Sequence, residues 1–269
     1  MILVRTVAEV RAAVADARAA RQSIGLVPTM GAFHAGHLAL MGASRSTDDV
    51  VVVSLFVNPA QFGPSEDLAR YPRDEAADAA AAEEAGVDVL FVPSVEEMYP
   101  PGFDTWVDPG ELAMVLEGAV RPGHFRGVAM VCTRLFGIAQ PTRAYFGRKD
   151  AQQVAVVKQV VRDLALPVEI VACPTVRDSD GLALSSRNVF LSSDDRERAL
   201  ALPRALEAGA KAHADGGDPV ATAEEVFAAA AGLTVDYVAV ADFDGPTLAA
   251  AIRVGGTRLI DNVRLEEPS

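Results

Sequence analysis

Two histidines three residues apart stand out in the sequence, because the chain contains only four. His34 and His37 lie in the segment PTMGAFHAGH (28–37), which also contains Gly31 and Gly36. If a helix begins near Gly36, this spacing places both imidazoles on one helix face. Imidazoles, and the amides at the start of a helix, donate hydrogen bonds to phosphates. The segment therefore predicts an anion site, most simply one for nucleotide phosphates.

Two other interpretations of this segment stay open. Glycines in a turn between a strand and a helix also serve close packing, without any ligand. The histidine pair could instead begin a zinc site, although no nearby Cys, His or carboxylate completes a tetrahedral set.

Lys149 is a further candidate, because the chain contains only three lysines. Lys158 and Lys211 lie within helical patterns, where a surface charge is the simplest interpretation. Lys149 instead follows a strand-like run, in the segment FGRKDAQQ (146–153). A flexible ammonium group in such a loop can contact a phosphate as a point charge.

The elements that must position these residues alternate through the first two thirds of the chain. The strand-like runs are continuous and β-branched, as in VVVVSLFV (50–57). We predict strands at 23–29, 50–57, 87–93, 143–146 and 167–173, and helices at 74–86, 126–139 and 151–164. This alternation predicts an α/β fold with a Rossmann-like, doubly wound parallel sheet. Such sheets bind ligands beyond the carboxyl ends of their strands.

The pattern changes after about residue 175, where we place a domain boundary. Residues 1–175 are predicted to form the Rossmann-like domain, and residues 176–269 a smaller C-terminal α+β domain. Its predicted elements are helices at 194–214 and 219–231 and antiparallel strands at 235–242 and 257–265.

Composition excludes several classes of function. Half of the 269 residues are hydrophobic, and the formal charge of −13 argues against nucleic acid or an anionic membrane as the main partner. Cys132 and Cys173 are far apart and match no CxxC or zinc spacing, so two buried, reduced thiols are expected. No apolar run reaches the roughly 18–20 residues of a membrane span. We expect a cytoplasmic protein.

Five segments together resemble one family. HAGH (34–37) resembles the HxGH signature of the HIGH nucleotidyltransferase superfamily, in which two histidines hold ATP phosphates. Four more segments lie at predicted loops, namely FVNPAQF (56–62), RPGHFRGV (121–128), FGRKDAQQ (146–153) and VRDSDGLALSSRN (176–188). With PTMGAFHAGH they resemble the pantothenate synthetase family of pantoate–β-alanine ligases, in order and over essentially the whole chain. Phe33 stands where members of the family often have Leu, and Arg148 lies at a position that varies in the family.

The resemblance implies a role for each matching residue. The implied catalytic residues are His37, His34 and Lys149. The implied ATP-binding residues are Met30, Gly31, Ala32, Phe33, His34, Ala35, Gly36, His37, Gly147, Arg148, Lys149, Asp150, Val176, Leu184, Ser185, Ser186 and Arg187. The implied contacts to pantoate and β-alanine are Gln61 and Gln153, with Asn58, Arg121 and His124 as further candidates.

Taken singly, several of these residues have structural interpretations. Gln61 could bond loop backbone, and Gln153 could be a solvated helix residue. The SSRN segment (185–188) could be an N-cap followed by a turn. Arg121 and His124 are equally compatible with surface positions.

The resemblance also implies the reaction and its cofactors. The pantoate carboxylate would attack the α-phosphorus of ATP, and the β-alanine amine would then attack pantoyl adenylate, releasing AMP. Mg²⁺ would accompany the pyrophosphate, through protein ligands that the sequence does not identify. A carboxylic acid titrates at about pH 4, so the first step needs positioning and charge neutralisation, not a base. Closure of the 177–188 loop or of the second domain, to shield the anhydride, is a hypothesis.

Two alternatives to this function are considered. One is another adenylyltransferase of the superfamily, against which the paired glutamines and the SSRN segment argue. The other is a non-catalytic nucleotide sensor, against which the intact set of phosphate-facing residues argues. The resemblance further implies a homodimer, although the sequence indicates no interface.

Overall fold

The computed structural model describes residues 1–64 and 66–265, which divide into two compact units. The first unit contains Met1–Gly147 and Gln152–Cys173, and the second contains Arg148–Ala151 and the chain from Pro174 onward. The boundary predicted after residue 175 lies two residues beyond this change. The short segment that carries Lys149 groups with the second unit, although the chain on both sides of it belongs to the first.

A parallel sheet of six strands forms the centre of the first unit. The strands are β1 (Ile2–Val4), β2 (Ile24–Thr29), β3 (Val50–Leu55), β4 (Val89–Phe91), β5 (Arg143–Gly147) and β6 (Glu169–Cys173). Their order is β1-β4-β3-β2-β5-β6. From β2 the chain continues to β3 and β4 on one side, and from β5 it continues to β6 on the other. The strand order therefore reverses between β2 and β5, which places the switch point of the sheet at their carboxyl ends.

Helices cover both faces of this sheet. They are α1 (Val7–Ala13), α2 (Ala15–Ala19), α3 (Ala35–Thr47), α4 (Glu75–Glu84), α5 (Val95–Met98), α6 (Glu117–Val120), α7 (His124–Ala139) and α8 (Ala151–Asp163). Successive residues of a strand point to opposite faces. Accordingly, Leu26 and Val52 pack in one buried cluster, and Val27 and Val53 pack in another.

The second unit packs helices on a small antiparallel sheet. Its elements are α9 (Ser193–Ala199), α10 (Ala201–Ala214), α11 (Pro219–Ala228), β7 (Leu233–Asp242), β8 (Pro246–Val254) and β9 (Thr257–Arg264). The strands pair in the order β7-β8-β9. The predicted fold class, a doubly wound parallel sheet with a smaller α+β domain, is confirmed.

The sequence prediction differs from the structure in several details. The helix expected over 194–214 is two helices, which meet at Leu200. Strand β1 was missed because its three residues are too short for a periodic pattern. Strand β8 was missed because its alanines at 249–251 have low strand propensity. No helix among the described residues has the length and apolarity needed to cross a membrane.

Candidate active site

His34 and His37 lie at the beginning of α3, directly after the loop that leaves β2. His34 is the N-cap, and its Nδ1 accepts the Gly36 N–H at 3.1 Å. The His37 Nδ1 in turn accepts the His34 N–H at 3.3 Å, so the two imidazoles form a reciprocal capping box. Their ring centroids are 4.2 Å apart. The predicted pairing of the two imidazoles is therefore present in the structure.

The capping box determines where each imidazole carries its proton. A nitrogen that accepts an N–H holds a lone pair, so Nδ1 of His34 and of His37 is unprotonated. In the neutral ring the proton must then be on Nε2. Both rings are thereby prepared to donate from Nε2, the type of donor that a phosphate oxygen accepts.

Five backbone amides of this segment donate within the protein, which limits an expectation from the sequence. We expected free amides at the helix start to face an anion. The His34 and Gly36 N–H groups instead donate to imidazoles, and the His37 N–H donates to the His34 carbonyl at 2.8 Å. The Ala32 and Phe33 N–H groups donate to Asp78. These five amides therefore have partners within the protein.

Gln61 lies beside the same segment. It is 8% exposed and ends a short 3₁₀ turn, residues Pro59–Gln61, that follows β3. Its Nε2 donates to the Met30 sulfur at 3.3 Å, and its Oε1 accepts from Asn58 Nδ2 at 3.0 Å. A thioether is a weak acceptor. A carboxylate or hydroxyl oxygen can therefore replace it as the partner of the Gln61 amide.

Asn58 is the buried N-cap of this turn. It is 1% exposed, and its Nδ2 donates both to Gln61 and to the Gly127 carbonyl. Its Oδ1 accepts the Ala60 N–H at 3.2 Å and the Tyr99 hydroxyl at 2.8 Å. Burial raises the pKa of Tyr99, which keeps this hydroxyl protonated as a donor. The contacts of Asn58 fix the Gln61 side chain, so the structure gives it a supporting position.

Arg121 and His124 belong to a connected polar group around the same turn. Arg121 forms a bidentate ion pair with Glu66, at 2.9 and 2.7 Å, and donates to His124 Nε2 at 3.0 Å. The His124 Nδ1 then carries the proton and donates to the Gln61 carbonyl at 2.9 Å. Burial, together with the adjacent Arg121 cation, lowers the pKa of His124 to about 4. Neither residue is the exposed surface group that the sequence left open.

Gln153 and its neighbour Gln152 lie in the first turn of α8 but have different surroundings. Gln152 is buried, accepts the Glu117 N–H at 3.0 Å and donates to the carbonyls of Leu112 and Val115 at 2.9 and 2.8 Å. It therefore holds the chain that precedes α7. Gln153, the predicted pantoate residue, is half-buried.

Lys149 lies in a short 3₁₀ turn, Arg148–Asp150, that begins after β5. Its Nζ is 3.6 Å from Asp150 Oδ1, and Arg148 pairs with Asp244 at 3.2 Å. Asn262 on β9 donates from Nδ2 to the carbonyls of Arg148 and Lys149, at 2.8 and 2.9 Å. Within the second unit, Asn262 thus anchors the backbone that carries the lysine.

The predicted segment from Val176 to Arg187 forms a hairpin followed by a 3₁₀ turn. The Leu184 N–H donates to the Val176 carbonyl at 3.0 Å. Ser185 caps the turn, residues Ser186–Phe190, by accepting the Arg187 N–H at 3.3 Å. Asp261 on β9 holds the hairpin through a bidentate ion pair with Arg177. Ser185 is therefore an N-cap, as the structural interpretation of SSRN predicted. The SSRN segment (185–188) lies at the start of this 3₁₀ turn.

The structure groups the predicted residues by unit. In the first unit, Met30, His34, His37 and Gln61 lie around the end of β2 and the end of β3. In the second unit, Lys149 and the hairpin are both held by β9. Gly147 is the last residue of β5, and Ala35 is the first residue of α3.

Sequence reasoning missed the residues that support these groups. They are Asp78, Asn262, Glu66, Gln152 and Asp261. Asp78 lies in an acid-rich helix in which no local pattern distinguishes it from its neighbours. Among the described residues, no group of three or more His, Cys, Asp or Glu side chains is arranged to hold a metal ion.

Comparison with known proteins agrees with the geometry. The HxGH segment at the switch point of a doubly wound parallel sheet defines the class, an α/β protein of the HIGH nucleotidyltransferase type. The family model described as pantoate-beta-alanine ligase matches residues 2–264, and the chain belongs to this family. It is 52% identical to the pantothenate synthetase of Moorella thermoacetica and 53% identical to that of Chloroflexus aurantiacus, covering 99% of this chain and 99% of each relative.

Solved structures show the same fold. The pantothenate synthetase of Thermus thermophilus superposes with a TM-score of 0.93 at 49% identity, with full coverage of both chains. The pantoate-beta-alanine ligase of Francisella tularensis superposes with a TM-score of 0.85 at 36% identity, again with full coverage. That protein was solved in complex with "Beta-gamma ATP" and β-alanine.

Proposed function

We propose that this pantoate–β-alanine ligase condenses pantoate with β-alanine at the expense of ATP, through a pantoyl-adenylate intermediate. The observation that carries the proposal is the imidazole pair, because the capping box leaves Nε2 as the protonated nitrogen of each neutral ring. The ligands of the Francisella tularensis relative support ATP and β-alanine as substrates here.

In the first step the pantoate carboxylate attacks the α-phosphorus, and pyrophosphate leaves. The carboxylate is already ionised at neutral pH, because carboxylic acids titrate at about pH 4. The protein therefore supplies positioning and stabilisation of the phosphoryl charge. His34, His37 and Lys149 are the proposed donors to the phosphates, and Gln61 and Gln153 the proposed contacts to pantoate.

In the second step the β-alanine amine attacks the activated carbonyl and AMP leaves. The anhydride must be kept from water until the amine arrives. The ordered hairpin from Val176 to Leu184 and the capped turn at Ser185 are the proposed cover of the nucleotide, with Ser186 and Arg187 beside the phosphates. Asp150, Arg148 and Gly147 are proposed to border the nucleotide at the end of β5.

Mg²⁺ is proposed to enter with ATP. The described residues contain no cluster of protein ligands for it, and Mg²⁺ commonly binds through substrate phosphates with few protein ligands. Imidazole Nε2–H and ammonium groups also donate to phosphate oxygens. They would therefore contact the same phosphates as an ion that enters with the nucleotide. When bound, the ion would neutralise charge on the departing pyrophosphate.

A substrate-omission assay tests this function. AMP release should require ATP, pantoate and β-alanine together. Exchange of labelled pyrophosphate into ATP should require pantoate but not β-alanine, because adenylate formation precedes the amine. ATP binding without turnover would indicate a nucleotide sensor, and pantoate-independent exchange would indicate another adenylyltransferase. A requirement of exchange for β-alanine would exclude the adenylate route.

A further inference from the structure

Asp78 is a buried carboxylate to which the proposed chemistry gives no role. It lies on α4 and is 4% exposed. Its two oxygens accept the backbone N–H groups of Ala32, at 2.9 Å, and of Phe33, at 2.7 Å. Hydrogen bonds to a charged acceptor are roughly twice as strong as those between neutral groups. Asp78 therefore ties α4 firmly to the loop that joins β2 to α3.

The loop that Asp78 holds has a strained backbone. Gly31 and Ala32 both adopt left-handed conformations, with φ of 85° and 53°. Glycine adopts this region readily, whereas the Cβ of alanine opposes it. A Cβ added at Gly31 would lie 2.8 Å from Asp78 Oδ2, so the carboxylate lies directly against the turn. Strained backbone persists only where its surroundings hold it in place.

We propose that Asp78 is a positioning residue for the phosphate-binding histidines, an inference that rests on the proposed function. The turn at Gly31 and Ala32 leads within two residues to His34, the N-cap of α3. By fixing this turn, the carboxylate fixes where α3 begins and so where the two Nε2 atoms point. It also occupies the amides of Ala32 and Phe33.

Asp74 provides a matched comparison on the same helix. It is the N-cap of α4, where its Oδ1 accepts the Ala77 N–H at 3.0 Å. Its replacement by Asn removes one negative charge from α4, as Asp78→Asn does, without altering the turn before α3. A general effect of α4 on the fold should appear in both variants.

Asp78→Asn tests the proposal, because the amide keeps the shape of the carboxylate but places an NH₂ group against one of the two N–H donors. We expect kcat for pantoate-dependent pyrophosphate exchange to fall by about tenfold to a hundredfold, the usual cost of misplaced reacting groups. KM for ATP should rise, whereas KM for pantoate should stay within about twofold, because Gln61 lies on a different loop. Asp74→Asn should match the wild type in all three quantities.

A second variant separates positioning from stability. Glycine at position 32 removes the cost of its left-handed φ, so Ala32→Gly added to Asp78→Asn should recover part of the lost kcat. The proposal would be overturned if kcat did not recover in the double variant. It would also be overturned if Asp78→Asn raised KM for ATP and KM for pantoate equally. If Asp78→Asn does not fold, hydrogen exchange of the wild type decides. Protected amides at 32 and 33 without nucleotide support the proposal, and exchange at the rate of an unstructured peptide overturns it.

Failure of the proposed function can be told apart from failure of this inference. A wild type without pantoate-dependent exchange would remove the function. ATP affinity measured by calorimetry would then still test Asp78, since equal dissociation constants for the wild type and Asp78→Asn contradict a positioning role. An active wild type equalled by Asp78→Asn would remove the positioning role alone.

Discussion

At the scale of single residues, the site depends on groups whose orientation is fixed before any ligand binds. The Nδ1 atoms of His34 and His37 accept the backbone N–H groups of Gly36 and His34, respectively. The Gln61 amide rests against a thioether. Preorganised donors need little rearrangement as charge develops on a phosphate, which is where catalytic sites gain most. The functional residues should therefore be sensitive to truncation.

Replacing either proposed phosphate donor should slow adenylate formation. We expect His37→Ala and Lys149→Ala each to reduce pantoate-dependent pyrophosphate exchange by about 10²-fold or more, the usual cost of one charge-stabilising donor. His213→Ala and Lys158→Ala, which remove the same groups from other helices, should retain nearly full exchange. Near wild-type exchange in both test variants would refute the assignment.

The two proposed pantoate residues should affect binding more than chemistry. Gln61→Ala and Gln153→Ala should each raise KM for pantoate by about tenfold, because a hydrogen bond to a charged group contributes about 1.5–3 kcal/mol. Gln152→Ala is the comparison, since its three hydrogen bonds are internal. It should lower the melting temperature and leave KM for pantoate unchanged. An unchanged KM in both test variants would remove these glutamines from the pocket.

At the scale of elements, the position of Gln61 depends on how α7 packs against the 59–61 turn. A Cβ added at Gly127 on α7 would overlap the Ala60 carbonyl, and the Gly127 carbonyl accepts from Asn58. The absence of a side chain at this one position thus allows the helix and the turn to approach closely. Gly137, on the same helix, has open space around its Cβ position.

Gly127→Ala should therefore act on both stability and substrate binding. We expect a loss of roughly 1–3 kcal/mol in the free energy of unfolding, as for other overpacked sites, and a raised KM for pantoate as the turn shifts. Gly137→Ala should be neutral or stabilise the protein by up to about 1 kcal/mol, because alanine favours helices. Urea denaturation and steady-state kinetics of the two variants measure these effects. Equal behaviour would show that the contact does not position Gln61.

At the scale of the whole molecule, a formal charge of −13 means that positive and donating groups must be gathered locally. Within the first unit, Glu66, Arg121 and His124 form a polar group that joins the loop after β3 to the start of α7. Its neutral, buried histidine links global stability to pH.

The homodimer, the cytoplasmic location and the absence of nucleic-acid partners stay predictions.

The stability of the protein should fall on mild acidification through His124. Its pKa is about 4 in the folded protein and about 6.5 when unfolded, so between these values the unfolded chain binds more protons. The contribution is fully present above pH 6.5 and is lost as the pH falls toward 4, by about 3 kcal/mol in total. Urea denaturation at several pH values should show a shallower dependence for His124→Asn than for the wild type. Equal slopes for the two proteins would contradict the prediction.

The fold class, and the placement of His34 and His37 side by side, could be predicted from the sequence because both depend on local patterns. Continuous β-branched runs are typical of buried parallel strands. The missed strand β8 shows the limit of such patterns. It packs closely against α10, where a Cβ at Gly209 would come within 2.6 Å of the Pro219 carbonyl and as near to the Leu248 side chain of β8. Tertiary packing thus excludes a side chain at Gly209, and local propensity does not record such a contact.

By itself, the sequence determined the motifs, their order, and the placement of two imidazoles on one turn of a helix. Only the tertiary structure decided which hydrogen-bond partners each of these groups has. No local pattern distinguishes Asp74 from Asp78 in this acid-rich segment. Asp74 caps the helix, whereas Asp78 holds a loop about 45 residues away. Asn262 supports Lys149 across a still longer separation. Hydrogen bonds between distant segments depend on how the elements pack, and that information is not present in any single stretch of the chain.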